Sequence, residues 1–256
     1  MRRKFPAECL LVGVLWLWCG CSAPHDNPLD PSSPRYRGPD PTPAQLTASV
    51  RSVHISRNFP TTDSYSVITE LDGPDAARQV SAWVAYDGGS AVALLRTAPA
   101  TWATIFAASY FQYPNLGTVV GHPFMFTAQD ADSGIHLVGP AYMWRVIEDV
   151  PQLASPVLSD TVYSATPTYS WDRFDADFPF GYEVNVVNLT AGFETTVWTS
   201  PLLPSGSDSI LSVQQPESLL DGDYYWTITV EDSFENSSRS KEGGFTIIAD
   251  SSGVQG

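Results

Sequence analysis

The stretch Tyr224-Tyr225-Trp226-Thr227-Ile228-Thr229-Val230-Glu231 decides the fold class, because apolar and polar side chains alternate along it. Successive side chains of a β-strand point to opposite faces of its sheet, so the even-numbered residues share an apolar face. These residues are Tyr224, Trp226, Ile228 and Val230. Such alternation is typical of an antiparallel strand with one face in the core and the other in solvent.

Shorter alternating runs predict the neighbouring strands, and clusters of Gly, Pro, Asp, Asn and Ser separate them. The core residues predicted in these runs are Tyr169 and Trp171, then Tyr182, Val184 and Val186, then Phe245. No window of the sequence has the 3.6-residue period of an amphipathic helix over three turns. We therefore predict an all-β protein.

A weak internal repeat indicates two such units. Residues 126–130 (Phe-Thr-Ala-Gln-Asp) match residues 228–232 (Ile-Thr-Val-Glu-Asp) at an offset of 102 residues, and each segment leads into a polar turn. A period near 100 residues is the size of one immunoglobulin-like sandwich. We predict tandem sandwiches over residues 44–149 and 150–249, joined near Val150-Pro151, with residues 250–256 as a disordered tail.

The second predicted sandwich resembles a fibronectin type III domain. Residues 167–171 (Pro-Thr-Tyr-Ser-Trp) resemble strand B, residues 182–187 resemble strand C, and residues 219–226 resemble the corner that enters strand F. The resemblance implies a tyrosine corner, in which the hydroxyl of Tyr224 or Tyr225 bonds to the nearby backbone; the alternation favours Tyr224. The chain contains no Arg-Gly-Asp, the integrin-binding sequence of some family members.

The first predicted sandwich fits only the general immunoglobulin-like pattern. Its expected core residues are Tyr65 and Val67, then Val80, Ala82 and Val84, then Phe124, Phe126 and Ala128. In the second sandwich, Trp171 and Trp226 are expected to lie in facing sheets and to meet in the core.

The N-terminus resembles the export signal of bacterial lipoproteins. Three basic residues precede the ten-residue apolar run Cys9–Trp18, which is too short to span a bilayer, a task that takes about 20 residues. Gly20-Cys21 then resembles the site where a cysteine is lipidated and becomes the first mature residue. The resemblance implies a signal peptide over residues 1–20 and a lipid anchor at Cys21. It also implies a location in the bacterial cell envelope, at the outer membrane or cell surface.

Two alternatives to this interpretation of the N-terminus stay open. One is cleavage at an ordinary signal-peptidase site, which would leave no lipid. The other concerns the export route, because Arg2-Arg3-Lys4-Phe5 resembles part of the twin-arginine motif as well as a generic basic start.

Residues 21–43 are predicted to form a lipidated, Pro-rich tether. Seven of the 22 residues from Ser22 to Pro43 are proline, a composition that favours extended polyproline II geometry. At ~3.1 Å per residue the segment would reach roughly 60–70 Å. Such a tether would hold the sandwiches away from the bilayer.

Cysteine content and charge exclude several function classes. After signal cleavage only Cys21 remains, so the mature chain has no disulfide, no cysteine nucleophile and no thiolate metal site. Loss of residues 1–20 lowers the count of basic residues from 13 to 10 and of acidic residues from 28 to 27, a net charge of −17. Nucleic-acid binding depends on clustered Lys and Arg, so we expect no nucleic-acid partner.

Few residues suggest chemistry. Asp130, Asp132 and His136 could hold a hard cation, but their spacing lacks the distal Glu of an EF-hand loop, and Asp and Gly are common turn residues. His122 would lie about 26 Å from Asp130 along the same strand. We predict no metal site, no cofactor and no catalytic residue.

Paired carboxylates and an aromatic cluster were the other candidates for a site. Asp172, Asp175 and Asp177, beside Phe174 and Phe178, could hydrolyse a glycoside, but they favour a solvated loop. The aromatic residues of segment 101–114 suggest either a stacking platform for sugars or a core with an edge strand, which is the simpler interpretation. They are Trp102, Phe106, Tyr110, Phe111 and Tyr113.

The sequence therefore predicts a non-catalytic envelope lipoprotein that serves as an adhesion, interaction or spacer module. Its partners would be the membrane, through the lipid at Cys21, and an envelope protein or glycan. The alternative function is that of a surface lipoprotein that binds a glycan or polysaccharide. A hydrolase is a third possibility with less support.

Overall fold

A computed structural model of the chain describes residues 44–58, 60–111, 116–189 and 192–248. The predicted signal peptide, Cys21, the tether, Tyr113 and the C-terminal tail lie outside these ranges. The described ranges contain eighteen β-strands and three short 3-10 helices, at Ala76–Arg78, Ala108–Phe111 and Leu116–Val119. Over the same ranges, no helix has the length and apolar character required to cross a membrane.

The first half of the described chain forms a two-layer sandwich. Its strands are β1 (Thr47–Asn58), β2 (Thr61–Asp72), β3 (Gln79–Tyr86), β4 (Val92–Ala93), β5 (Leu95–Ala98), β6 (Thr101–Ala107), β7 (Pro123–Asp130) and β8 (Ile135–Tyr142). One layer has the order β1-β2-β6-β5 and the other the order β4-β3-β7-β8. Alternate residues of these strands enclose a core that includes Val67, Leu71, Phe124 and Phe126.

The second half forms another two-layer sandwich. Its strands are β9 (Leu153–Ser155), β10 (Asp160–Val162), β11 (Thr168–Asp172), β12 (Phe180–Asn188), β13 (Thr195–Thr199), β14 (Leu203–Pro204), β15 (Ile210–Gln214), β16 (Gly222–Asp232), β17 (Ser237–Arg239) and β18 (Gly243–Ile247). One layer has the order β15-β11-β9. In the other layer, β16 pairs with β12 along one edge and with β18 and then β17 along the other.

The protein is therefore all-β, with two immunoglobulin-like sandwiches in tandem. Each sandwich has its own hydrophobic core, and the chain passes from the first core to the second between Met143 and Ile147. Whether residues 44–149 and 150–249 fold independently stays a prediction.

All ten residues predicted for the second core are buried. Tyr169 and Trp171 lie on β11, and the other eight lie on β12, β16 and β18 in the facing layer. Trp171 and Trp226 lie in facing layers, as expected, but the ring that packs on Trp226 is that of Tyr169 rather than that of Trp171. The ring centroid of Trp226 lies 5.1 Å from that of Tyr169, whereas Trp171 packs edge-on against Tyr182 at 5.4 Å. Tyr169, two residues earlier on β11, is the residue opposite Trp226.

The expectation of a buried Val80 is also wrong, because Val80 is 57% exposed and Gln79 is buried in its place. The pairing of β3 with β7 shifts between Gln79 and Ser81, which makes Val80 the extra residue of a β-bulge. Because a bulge inserts one extra residue, the residues before it and the residues after it alternate between core and solvent in opposite phase. Beyond it, Ala82 and Val84 are buried.

The start of β16 has the geometry of a tyrosine corner. The hydroxyl of Tyr224 donates a hydrogen bond to the carbonyl oxygen of Leu220 at 2.9 Å, and its ring stacks on Phe245 with centroids 5.6 Å apart. Tyr225 points to the opposite face, where its hydroxyl lies 3.2 Å from Glu194 Oε2. The corner thus fixes the point at which the chain enters the central strand of the second sandwich.

We expect Trp226→Ala to lower the free energy of unfolding by about 3–5 kcal/mol, because it leaves a cavity among fully buried aromatic rings. Tyr225→Ala, on the half-exposed face of the same strand, should cost much less. Urea denaturation of residues 21–256 carrying Cys21→Ser measures both. A larger loss for Tyr225→Ala would place the register of β16 one residue out.

We expect Tyr224→Phe to cost about 1 kcal/mol, because it removes only the hydroxyl that bonds to Leu220. Tyr225→Phe is the matched control, since it removes a hydroxyl from the next residue without touching the corner. The same denaturation measurement applies to both variants, and equal effects would mean that the corner bond contributes nothing specific to stability.

Candidate functional site: a polar joint and the surface beside it

The two sandwiches share one continuous sheet. β1 pairs with β2 along one edge and, through Val53, His54 and Ile55, in parallel with β17 along the other. The strand order across both sandwiches is therefore β10-β18-β16-β17-β1-β2-β6-β5.

The seam of this sheet buries polar residues at every second position of its two strands. Side chains two residues apart on a strand point to the same face, so both sets face the same side. We call these six buried residues the polar joint: Ser52, His54 and Ser56 from β1, and Asn236, Ser238 and Ser240 from β17 and its flanks.

Hydrogen bonds within the polar joint cross from one sandwich to the other. Asn236 Oδ1 accepts a bond from the backbone N–H of Ser52 at 2.9 Å, and Ser238 Oγ lies 3.1 Å from His54 Nδ1. The imidazole of His54 also stacks on Tyr65, with centroids 4.0 Å apart and 9° between the ring planes. The polar groups that are buried at the seam therefore specify one alignment of the two strands, since other alignments would leave these groups unpaired.

One acidic residue borders the joint. Asp63 Oδ1 lies 3.6 Å from His54 Nε2, and Asp63 is the cross-strand neighbour of Ser56. A hydrogen bond from Ser56, together with the proximity of His54, lowers the pKa of the Asp63 carboxyl from its ordinary value. The ionised carboxylate of Asp63 is therefore favoured at this edge of the joint.

The segment that connects the sandwiches lies over the joint and is bonded to it. Ser52 Oγ donates to the carbonyl oxygen of Arg145 at 3.0 Å, and Ser238 Oγ donates to that of Asp149 at 2.7 Å. Because the Ser238 proton bonds to Asp149, His54 Nδ1 is left as the donor to the Ser238 oxygen. The connection is thereby attached to a strand of each sandwich.

The internal repeat seen in the sequence is reproduced in the hydrogen bonds of two turns. Asp130 Oδ1 accepts bonds from the N–H groups of Asp132 and Gly134, at 3.0 and 2.8 Å. Asp232 Oδ1, 102 residues later, accepts bonds from the N–H groups of Phe234 and Asn236, at 2.8 and 3.0 Å. The aspartate at the end of β7 and the one at the end of β16 hold equivalent turns.

The second carboxylate oxygen of the aspartate has different partners in the two turns. Asp130 Oδ2 bonds to His136 Nε2 at 3.0 Å within the first sandwich, and this bond is the main cause that lowers the pKa of Asp130. Asp232 Oδ2 instead lies 3.1 Å from Asn236 Nδ2 and forms an ion pair with Arg145 Nε, also at 3.1 Å. The repeated turn of the second sandwich therefore holds the connection between the sandwiches.

The candidate cation ligands form a turn and do not come together as a metal site. The Asp130 oxygens accept bonds from two backbone N–H groups and the His136 ring, while His122 pairs with Asp87 at 3.3 Å. Within the described ranges, no group of three or more His, Cys, Asp or Glu residues is placed to hold a metal ion.

The carboxylates suggested for glycoside hydrolysis lie on the surface. Asp172, Asp175 and Asp177 are all exposed, while Phe174 between them is buried in the second core. Alternate burial of aromatic rings explains the spacing of these acidic residues, which occupy the solvent-facing positions of the loop.

The aromatic cluster of segment 101–114 belongs to the first core. Trp102, Phe106 and Phe111 are buried, and Tyr110 is 43% exposed. The exposed aromatic cluster lies elsewhere, at the joint, where Trp144 and Phe234 are 56% and 47% exposed and Tyr142 is half-buried. Trp144 and Phe234 are 90 positions apart in the sequence, so only the topology brings them together.

Comparisons with known proteins return likenesses of structure only. The fibronectin(III)-like modules of Clostridium thermocellum CbhA share 11% identity, with a TM-score of 0.32, over 82% of this chain and 97% of that chain. The FN1–FN3 domains of chicken CNTN1 share 12% identity, with a TM-score of 0.34, over 80% of this chain and 68% of that chain. No protein family matches the sequence, and no curated protein matches it.

We expect Asp232→Ala to lower the free energy of unfolding by about 2–3 kcal/mol, because it removes the acceptor of the turn N–H groups and the partner of the half-buried Arg145. It should also speed limited proteolysis between Met143 and Leu153, where the connection is attached to the joint. Asp130→Ala is the matched control, since it removes the equivalent turn bonds without the interdomain ion pair.

Chemical denaturation and the time course of cleavage, followed by mass spectrometry, check both variants. Asp130→Ala should lose less stability and leave cleavage of the connection at the wild-type rate. Equal cleavage in the two variants would contradict a special role of Asp232 in the joint.

Proposed function

We propose that this protein is a non-catalytic, lipid-anchored component of the bacterial cell envelope that displays two coupled sandwiches on a Pro-rich tether as an adhesion, interaction or spacer module. Sandwiches of the fibronectin type III-like kind are commonly non-catalytic interaction modules. The polar joint is the observation that supports the proposal most, because it makes a rigid display unit out of two modules.

The joint argues for a rigid pair. Domains within one chain usually share small interfaces, and relative motion is then the default. Here β1 and β17 continue one sheet across the boundary, and Asn58 donates its side-chain N–H to the carbonyl oxygen of Glu242 at 2.8 Å beyond the end of that pairing. Bending at the boundary would break the strand pairing and expose the joint.

The N-terminal segment supplies the other half of the proposal. A lipid at Cys21 would hold the chain at a membrane, and an extended tether over residues 22–43 would place the sandwiches at a distance from it. We propose the outer membrane or the cell surface as the location. One acyl chain gives only weak membrane binding, so stable anchoring would require a multiply acylated cysteine.

The charge of the chain restricts its partners. A mature chain with 10 basic and 27 acidic residues repels nucleic acids and anionic polymers. We propose an envelope protein or an uncharged glycan as the partner of the displayed sandwiches.

We expect Cys21→Ser to move the protein from the membrane fraction to the soluble fraction, because the serine cannot carry the lipid. Cys19→Ser is the matched control, since it alters a neighbouring cysteine of the signal and keeps Cys21. Fractionation of cells without detergent, followed by a salt wash and immunoblotting, measures the distribution. If the Cys21→Ser protein stays in washed membranes, the lipid anchor is excluded.

A further inference from the structure

Two exposed aromatic side chains and a half-buried one lie in contact with one another at the boundary of the two sandwiches. We call Tyr142, Trp144 and Phe234 the aromatic patch. The ring centroids of Tyr142 and Trp144 are 5.9 Å apart, and those of Trp144 and Phe234 are 5.7 Å apart with 34° between their planes. Large aromatic rings usually lie in cores, so a cluster of them in solvent indicates a binding surface.

The backbone beneath the patch is held by the carboxylate of Asp232. Phe234 donates its N–H to Asp232 Oδ1 at 2.8 Å, and Asp232 pairs with Arg145, the residue that follows Trp144. The guanidinium of Arg145 also lies 4.1 Å from the ring centroid of Phe178. The segments that carry Trp144 and Phe234 are therefore linked through one ion pair, which lowers the entropy cost of binding on them.

A shallow groove runs along the patch. It has a volume of about 250 Å³ and is lined by the aromatic patch together with Ala48, Ser49 and Val50 of β1 and Pro140 and Ala141 of β8. Pockets that enclose a whole small molecule usually measure ≈ 300–1,000 Å³. The groove therefore suits a long ligand that lies across the surface better than an enclosed small molecule.

Charged hydrogen-bonding groups stand beside Phe234. Glu235 Oε2 lies 3.1 Å from one nitrogen of the Arg51 guanidinium, and Glu70 Oε2 lies 3.2 Å from the other. Ser49 pairs across the strands with Glu70 and lies two residues before Arg51, so these side chains share one face of the sheet. Glu235, the residue after Phe234, thus brings a paired acceptor and donor next to one ring of the patch.

We propose that the aromatic patch binds an uncharged polysaccharide. A pyranose ring has a face of C–H groups that packs on an aromatic ring and an edge of hydroxyls that bonds to charged side chains. Trp144 and Phe234 would take the faces of successive sugar rings, and Arg51 and Glu235 would bond to their hydroxyls. The net charge of −17 expected for the mature chain disfavours polyanionic glycans. The proposal names the partner class of the interaction module proposed above, on which it rests.

A polysaccharide fits the patch better than a protein does. A stable protein interface buries ≈ 800 Å² on each partner around a wide apolar centre. Here the apolar part is limited to three rings and a narrow groove, with paired charges at its border. That combination of flat rings and hydroxyl-bonding groups is what a sugar chain requires.

The test is affinity electrophoresis of residues 21–256 carrying Cys21→Ser in gels that contain mixed-linkage β-glucan, xylan, galactomannan or alginate. We expect at least one of the three neutral polymers to retard the protein and alginate, a polyanion, not to. Trp144→Ala and Phe234→Ala should each weaken the interaction by about tenfold or more. Tyr163→Ala, which removes an aromatic side chain that is 70% exposed but lies away from the patch, is the matched control.

A binding measurement in solution and a check of folding accompany the gels. The tryptophan fluorescence of the protein should shift when a retarding polymer is titrated into it, and this shift should be absent from Trp144→Ala. Far-ultraviolet circular dichroism shows whether each variant keeps its strand content. Because Trp144 is exposed, its substitution should leave the fold intact.

Retardation by none of the neutral polymers would overturn the proposal, as would retardation by alginate alone or equal weakening by Tyr163→Ala. Failure here is distinguishable from failure of the anchor. If the lipid anchor is wrong, Cys21→Ser leaves the membrane distribution unchanged while the neutral polymer still retards the protein. If the sugar site is wrong, retardation is missing while the membrane fractionation behaves as expected.

Discussion

The carboxylate of Asp232 links the second sandwich to the segment that connects the two sandwiches, because it receives donors from both. One oxygen closes the turn between β16 and β17, and the other pairs with Arg145 from the connecting segment. The same turn positions Asn236, whose side-chain oxygen accepts a hydrogen bond from the backbone of Ser52 in the first sandwich. A single buried side chain thus fixes the end of β16, the position of the connection and the register of β17 beside β1.

The boundary is stabilised by polar contacts rather than by apolar burial. Ser52, His54 and Ser238 are all buried, and each bonds or stacks with a defined neighbour. Hydrophobic contacts tolerate sliding, whereas a buried polar group without its partner costs free energy. The joint therefore selects one orientation of the sandwiches, and the aromatic patch depends on that orientation because its residues come from both sides of the boundary.

The central strand of the second sandwich could be predicted from the sequence better than the boundary between the two sandwiches. The register of β16 could be predicted, because eight uninterrupted alternating positions leave one register that buries the aromatic rings, although the strand is longer than the alternating run and Thr227 of its polar face is also buried. β1 gives the opposite signal: Ser52-Val53-His54-Ile55-Ser56 predicts that Val53 and Ile55 face a core, yet Ser52, His54 and Ser56 are the buried set. Their face is covered by the segment that connects the sandwiches, whose carbonyl oxygens at Arg145 and Asp149 accept bonds from the joint, and local alternation does not record this tertiary contact. The bulge at Val80 is hidden for the same reason, since the extra residue is defined only by the partner strand. The Asp232 turn is the part of the boundary that the sequence did indicate, through the 102-residue repeat that relates it to the Asp130 turn.

The parallel pairing of β1 with β17 has a consequence for the order of folding. The bond between Ser52 and Asn236 joins residues 184 positions apart, as does the contact between His54 and Ser238. Contacts of such long sequence separation carry a high loop-closure entropy and form late. If the first sandwich folds before β17 is in place, β1 has one edge unpaired. An exposed strand edge is a template for intermolecular pairing, and a partly folded chain is therefore most vulnerable to association with its neighbours until β17 covers the free edge of β1.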